Sequence, residues 1–229
     1  MFFPSTEIIF VLLIIAGNND IMSRFIADIK RECDLEIHEL NLGGGLGVPY
    51  TKHDRTVDYA DSIRQIASVV TEFCKQNGIR MPRVILEPGR SLVAASGITL
   101  YTVGSVKEIP GFKNYISIDG GMPDNPRYAL YQSQYTAIVA NKANQPDDYR
   151  ATLAGRCCES GDLIGENMEI QKPVRGDIVA VLTTGAYNYS MASNYNRLPR
   201  PPVVMVKDGK ARLLIRRESY EDVIKNDVL

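Results

Sequence analysis

The chain has 229 residues, enough to bury a core as one domain or as two small ones. Apolar residues make up 45% and charged residues 23%, an ordinary globular balance, and a net charge of −1 argues against nucleic acid or another polyanion as partner. Cys33, Cys74, Cys157 and Cys158 form no CxxC pair, and with His38 and His53 as the histidines no metal site is expected.

The apolar run from Ile8 to Ala16 is too short to span a bilayer and has no Lys or Arg before it, so neither a membrane helix nor a secretory signal is expected. It reads as a buried strand or as the product of a misread gene start. Free thiols in a reducing cytoplasm are the expectation for the cysteines, with no membrane partner. Ile21, Phe25, Ile26 and Ile29 recur at helical spacing and predict a helix over 20–32. Leu35, Ile37, Leu40 and Leu42 predict a strand running into Gly43-Gly44-Gly45. Tyr59, Ile63, Ile66, Val70 and Phe73 predict a second helix, closed by Gly78. Val84-Ile85-Leu86 predicts a short strand ending at Glu87-Pro88-Gly89-Arg90. Helix, strand, Gly-rich loop, helix, strand, loop is the grammar of an α/β fold with parallel strands.

Past Ser91 the pattern changes. Short strands are predicted over 98–106, 115–118, 135–140, 150–155, 177–183 and 203–206, separated by Gly, Pro and Asn turns. No helix of useful length is expected until Ser219, which can cap a last turn or two through Val228. This half reads as a β-sandwich or barrel domain.

Four places could carry chemistry. The glycines of Gly43-Gly44-Gly45-Leu46-Gly47 let the backbone approach an anion and present N–H groups to it, although neither a Walker nor a Rossmann spacing is present. Glu87-Pro88-Gly89-Arg90 puts a carboxylate and a guanidinium in one tight turn at a strand C-terminus, where α/β barrels hold catalytic groups. After Asp119-Gly120-Gly121-Met122, Arg127 and Tyr131 stand four apart and would share one face of a helical turn. Cys158-Glu159-Ser160-Gly161-Asp162 sets a thiol beside a carboxylate in a turn-rich segment, and Gly185-Ala186-Tyr187 follows about two dozen residues later. Each of these alone is as compatible with ordinary turns and surface ion pairs as with a site.

Together with Leu40-Asn41-Leu42 before the glycines and Ser190-Met191-Ala192-Ser193-Asn194-Tyr195-Asn196 after them, these segments resemble the diaminopimelate decarboxylases. The resemblance runs from about residue 20 to the C-terminus, in the family's order. It implies the C-terminal part of a (β/α)8 barrel followed by a β-sandwich or barrel domain, so that 1–19 is out-of-family sequence, 20–95 a partial barrel and 96–229 the β domain with a short closing helix. It implies pyridoxal 5'-phosphate as cofactor and a homodimer with shared active sites. It also implies decarboxylation of meso-diaminopimelate, an amino-acid substrate, to L-lysine in the last step of lysine biosynthesis.

By the same resemblance Gly43, Gly44, Gly45, Pro88, Gly89 and Arg90 hold the cofactor, and Glu87 pairs with its pyridine nitrogen. Arg90, Arg127 and Tyr131 bind the far end of the substrate, Glu159 its distal ammonium, and Tyr187 touches cofactor and substrate. Cys158, from the partner subunit, is the catalytic proton donor, since a free thiol with a pKa of about 8.5 is mostly protonated at neutral pH.

The cofactor lysine of such enzymes sits in a Tyr-Ala-x-Lys-Ala-Asn context on the first barrel strand. Ala140-Asn141-Lys142-Ala143-Asn144 is only superficially similar, because it follows the Arg127–Tyr131 motif, and Lys142 reads as a solvated surface lysine. A whole barrel needs about 250 residues. The expectation is therefore an N-terminally truncated subunit, with activity of this chain alone in doubt. A sister specificity for ornithine, arginine or carboxynorspermidine shares the Gly-rich and Glu-Pro-Gly-Arg loops, and an inactive fragment that binds a complete subunit is the non-enzymatic alternative.

Overall fold

A computed structural model of the chain describes the backbone of residues 21–228 and the side chains from residue 24 onward. The run from Ile8 to Ala16 lies outside the described residues. The chain divides into two compact units, the first ending at Val93 and the second comprising residues 50–52 together with everything from Ala94.

The first unit is α/β. Helix α1 (Ile21–Cys33) leads to strand β1 (Glu39–Asn41), helix α2 (Tyr59–Gln76), strand β2 (Arg83–Ile85) and a short helix α3 (Gly89–Val93). The two strands pair in parallel, Leu40 opposite Val84. Helix α2 starts where Asp58 accepts a hydrogen bond from the Asp61 N–H, and the chain leaves it through Gly78 at φ +62. Ile26, Leu40, Leu42, Ile66, Val70 and Cys74 form its core. Phe25 and Ile63, which share the predicted helix faces, stay exposed. Two strands about 4.8 Å apart offer too little apolar surface to cover both helices. Strand β1 also begins at Glu39 rather than at the predicted Leu35, since pairing to three residues of β2 sets its length.

The second unit is a six-stranded sheet plus a hairpin. Strands β3 (Thr99–Ile109), β4 (Lys113–Ile118), β5 (Ala137–Val139), β6 (Tyr149–Ala154), β7 (Leu163–Ile170) and β8 (Ile178–Val181) pair in the order β5-β8-β3-β4-β6-β7. Every neighbouring pair is antiparallel except β4 with β6. Val103, Ile116, Leu153, Ile164, Val179 and Val181 fill its core and are almost wholly excluded from water. Short helices α4 (Arg127–Tyr131) and α5 (Asn188–Met191) interrupt the sheet connections. Strands β9 (Val203–Lys207) and β10 (Lys210–Ile215) form a separate antiparallel hairpin around Asp208 and Gly209, both at positive φ.

Helix α6 (Tyr220–Ile224) closes the chain, with Ser219 and Asp222 in a reciprocal capping box, and stops short of the predicted Val228. An α/β unit followed by a mainly antiparallel β unit is the broad fold class anticipated.

Lys142 is not a solvated lysine. Its ammonium lies 2.6 Å from the buried Asp177 carboxylate, which also accepts from the side-chain amide of Asn141 and the N–H of Val174. All four cysteines are free: Cys33 and Cys158 are exposed, Cys157 is partly covered and Cys74 is buried. Among the described residues no helix is long and apolar enough to cross a membrane, and no His, Cys, Asp and Glu side chains gather as a metal site.

Candidate functional site

In the first unit the Gly-rich loop and the Glu87–Arg90 turn meet. The Glu87 N–H donates to the Gly43 carbonyl at 2.7 Å, and the Asn41 amide donates to the Glu87 carboxylate at 2.7 Å. The Asn41 side-chain oxygen in turn accepts from the Gly43 N–H, so one asparagine fixes the loop's entry and the carboxylate's direction. A Cβ on Gly44 would overlap the Glu87 carbonyl oxygen, so only glycine permits this approach. Gly43 and Gly45 take φ +71 and +93. Arg90, in the first turn of α3, has its Nε shut away from water with no hydrogen-bond partner.

A buried guanidinium nitrogen without an acceptor is costly and marks a place for an anion. The exposed Glu87 carboxylate, the glycine cradle and this orphaned donor fit the two ends of pyridoxal phosphate, an anionic phosphate and a ring nitrogen that binds a proton.

The second unit holds the other predicted residues. Arg127 is only 6% exposed, and its Nη1 donates to the hydroxyls of Tyr50 at 2.8 Å and Tyr135 at 3.1 Å. Its guanidinium carbon sits 5.2 Å from the Tyr50 ring centre and 5.1 Å from that of Tyr187. The rings and hydroxyls hold the cation in one orientation and leave its remaining N–H groups for another acceptor. Tyr131, a turn along α4, is exposed, so the expected shared face holds one buried and one open side chain.

Tyr187 itself stands at φ +71, a rare conformation for an aromatic residue and of the kind that collects at functional sites. Its segment is pinned by Gly97: a Cβ there would overlap the Gly185 backbone, and the Gly185 N–H donates to the Ala94 carbonyl.

Cys158 and Glu159 lie on the turn between β6 and β7. The Glu159 carboxylate accepts from the Gly161 N–H at 3.1 Å and from the Tyr195 hydroxyl at 3.2 Å, in that order the main causes that hold its carboxyl below the usual range. Tyr195 is correspondingly harder to ionise, chiefly because it donates to Glu159. The neighbouring Cys157 is a different kind of thiol: burial, and then the Asp162 carboxylate, push it up to about 11. Cys158, by contrast, is exposed on the same turn as Glu159.

Tyr50, Tyr135, Gly97 and Tyr195 carry no role in the sequence reading. Tyr195 stood in a matched stretch. Tyr50 lies three residues past Gly47, a spacing that hints at a link to the Gly-rich loop but says nothing of Arg127.

The chain belongs to the family whose model is described as "Pyridoxal-dependent decarboxylase, C-terminal sheet domain", which matches residues 25–185.

Among particular relatives, the diaminopimelate decarboxylase of Bacillus subtilis (strain 168) is 48% identical over 189 residues, covering 82% of this chain and 43% of that protein. That of Staphylococcus aureus (strain COL) is 46% identical over 198 residues, 86% of this chain and 47% of that protein. The structure of diaminopimelate decarboxylase from M. jannaschii in complex with L-lysine superposes with a TM-score of 0.84 at 35% identity, covering 96% of this chain and 49% of that one. The chain therefore spans about half the length of the relatives it matches.

Proposed function

We propose that this chain is the segment of a meso-diaminopimelate decarboxylase that carries the substrate contacts and part of the cofactor contacts, in an enzyme that releases L-lysine and CO₂. The observation that supports it most directly is in the second unit. A guanidinium fixed between tyrosine rings and a carboxylate held ionised by Gly161 and Tyr195 are present on one sheet framework. The far end of diaminopimelate carries a carboxylate and an ammonium, which Arg127 of one subunit and the Glu159 turn of the other would answer in kind across a shared site. Ornithine has no distal carboxylate and would leave the buried Arg127 unanswered.

Pyridoxal phosphate, when bound, supplies the electron sink that accepts the pair left by departing CO₂. The N–H groups of Gly43, Gly44 and Gly45 and the Gly89-Arg90 turn, with Pro88 shaping its start, would hold the phosphate, and Glu87 would keep the ring nitrogen protonated. Arg90, Arg127 and Tyr131 would bind the distal carboxylate, Glu159 the distal ammonium, and Tyr187 would lie against both cofactor and substrate. Cys158 would give its proton to the carbon that lost CO₂, as a general acid in a dimer where its loop serves the partner subunit.

The matched motifs contain no counterpart of the cofactor lysine. The covalent anchor would then come from the part of a full-length subunit that this chain does not span. We read 20–95 as barrel and 96–229 as the β domain of such a subunit, which would work in the cytoplasm.

The test is a chimera in which this chain's residues 25–185 replace the matching stretch of the B. subtilis enzyme. Lysine formation from meso-diaminopimelate is expected. Cys158→Ala should lower kcat by 10²-fold or more with little change in KM, and Glu159→Gln should chiefly raise KM. A folded chimera that prefers ornithine or arginine would sink the assignment.

A further inference from the structure

Asp162 ends the Cys158–Asp162 run and has no part in the chemistry above. It is 2% exposed, and among the described residues it forms no ion pair: both carboxylate oxygens are used on backbone N–H groups from two different segments. Oδ1 accepts from Met122 at 2.6 Å and Oδ2 from Cys157 at 2.7 Å. Its own N–H donates to the Glu159 carbonyl and its carbonyl accepts from the Gly155 N–H. Beside this, the Arg156 N–H donates to the Gly120 carbonyl at 3.0 Å.

The surroundings are shaped for this one side chain. A Cβ on Gly121 or on Gly155 would overlap the Asp162 carboxylate. Two glycines, from the turn that leads to α4 and from the end of β6, therefore leave the space it fills.

We propose that Asp162 is the positioning residue of the site. Its buried carboxylate ties the Gly120–Met122 turn, which runs on to Arg127, to the Cys157–Glu159 turn, and so sets where the Cys158 thiol and the Glu159 carboxylate stand. Carboxylate-to-N–H bonds are charge-assisted and directional, and a neutral amide cannot replace them, because its NH2 would face an N–H donor.

This inference rests on Cys158 and Glu159 being the functional pair, but its test reads their geometry rather than turnover. In the full chain, Cys158 is modified with a cationic and with a neutral methanethiosulfonate, and the two rates are resolved by peptide mass mapping. A carboxylate beside the thiol favours the cationic reagent, and Glu159→Gln marks the ratio without it. Asp162→Asn and Gly155→Ala should each lower the cationic-to-neutral ratio at least threefold and speed amide exchange at Met122 and Cys157 at least tenfold, with native circular dichroism kept.

Gly155→Ala retains the Asp162 charge, so a matching loss in both variants reports displacement and not removal of a charge. Folded variants with wild-type ratio and exchange would overturn the proposal. So would unfolding of both variants, because Asp162 would then hold the whole sheet and not the turn. Decarboxylation by the chimera can fail while this test succeeds, and the reverse.

Discussion

The first unit rests two helices on a pair of three-residue strands, whereas the second closes six strands around side chains almost wholly removed from water. The first leaves Phe25 and Ile63 in solvent and, among its described residues, one open edge on each strand. Open parallel edges are rare in finished α/β folds and invite pairing with further strands. The second unit sets buried polar groups, Asp162 and Arg127, beside a filled core. What differs is how firmly each unit can hold a side chain in place without help from outside itself.

That contrast can be broken most forcefully in the cores. Leu153→Ala should destabilise the second unit by about 3 kcal/mol in denaturant titrations, through lost transfer energy plus a cavity. Ile66→Ala should cost the first unit less than half as much, since the half-covered helix face around it can collapse; equal losses would erase the distinction.

Gly44→Ala probes whether the first unit nonetheless shapes a binding loop. Overlap with the Glu87 carbonyl should weaken pyridoxal phosphate binding by calorimetry at least tenfold, about 1.4 kcal/mol, while leaving the second unit's melting unchanged.

A smaller effect is expected at Asp177. Burial works to raise its carboxyl, but donors from Lys142, Asn141 and the Val174 N–H outweigh it and hold it at about 2. A carboxylate depressed in the folded state stabilises above its unfolded pKa of about 3.9, and that stability drains away as pH falls toward the folded value. The wild type should therefore lose stability between about pH 4 and pH 2, and Asp177→Asn should be weaker at pH 7 and lose less across that window.

Smallest is Ser219→Ala, worth about 1 kcal/mol and visible as faster amide exchange confined to α6.

Much of this was legible beforehand where a local signal stood alone. The 3.6-residue spacing of Tyr59, Ile66, Val70 and Phe73, with Gly78 after it, gave α2 nearly to its ends. The motif loops were found as loops because glycine, proline and charge cluster in them. Strand β7 was missed because Asn167 stands at φ +54 and the pairing with β6 shifts register, so its burial does not alternate. Strand β10 was missed although Asp208-Gly209 between apolar runs is a hairpin signal.

In the site, the identities of Arg127, Cys158 and Glu159 could be read but their partners could not. Tyr50 and Tyr135 reach Arg127 across 77 and 8 positions of chain and Tyr195 reaches Glu159 across 36, and no local pattern of residues announces these pairings. Asp162 has no signal of its own beyond ending a motif, since nothing in a sequence tells a buried carboxylate on backbone donors from an exposed one.

The distribution of thiols has a practical consequence. Each unit carries one exposed cysteine, Cys33 in the first and Cys158 in the second, and one that is shielded, Cys74 and Cys157. Burial raises both shielded thiols above the ordinary range, which keeps them protonated and slow to react at neutral pH. The natural sequence is therefore already a two-site labelling scaffold. A donor dye on one exposed thiol and an acceptor on the other would turn the arrangement of the two units in solution into a measurable energy-transfer efficiency, with no cysteine introduced.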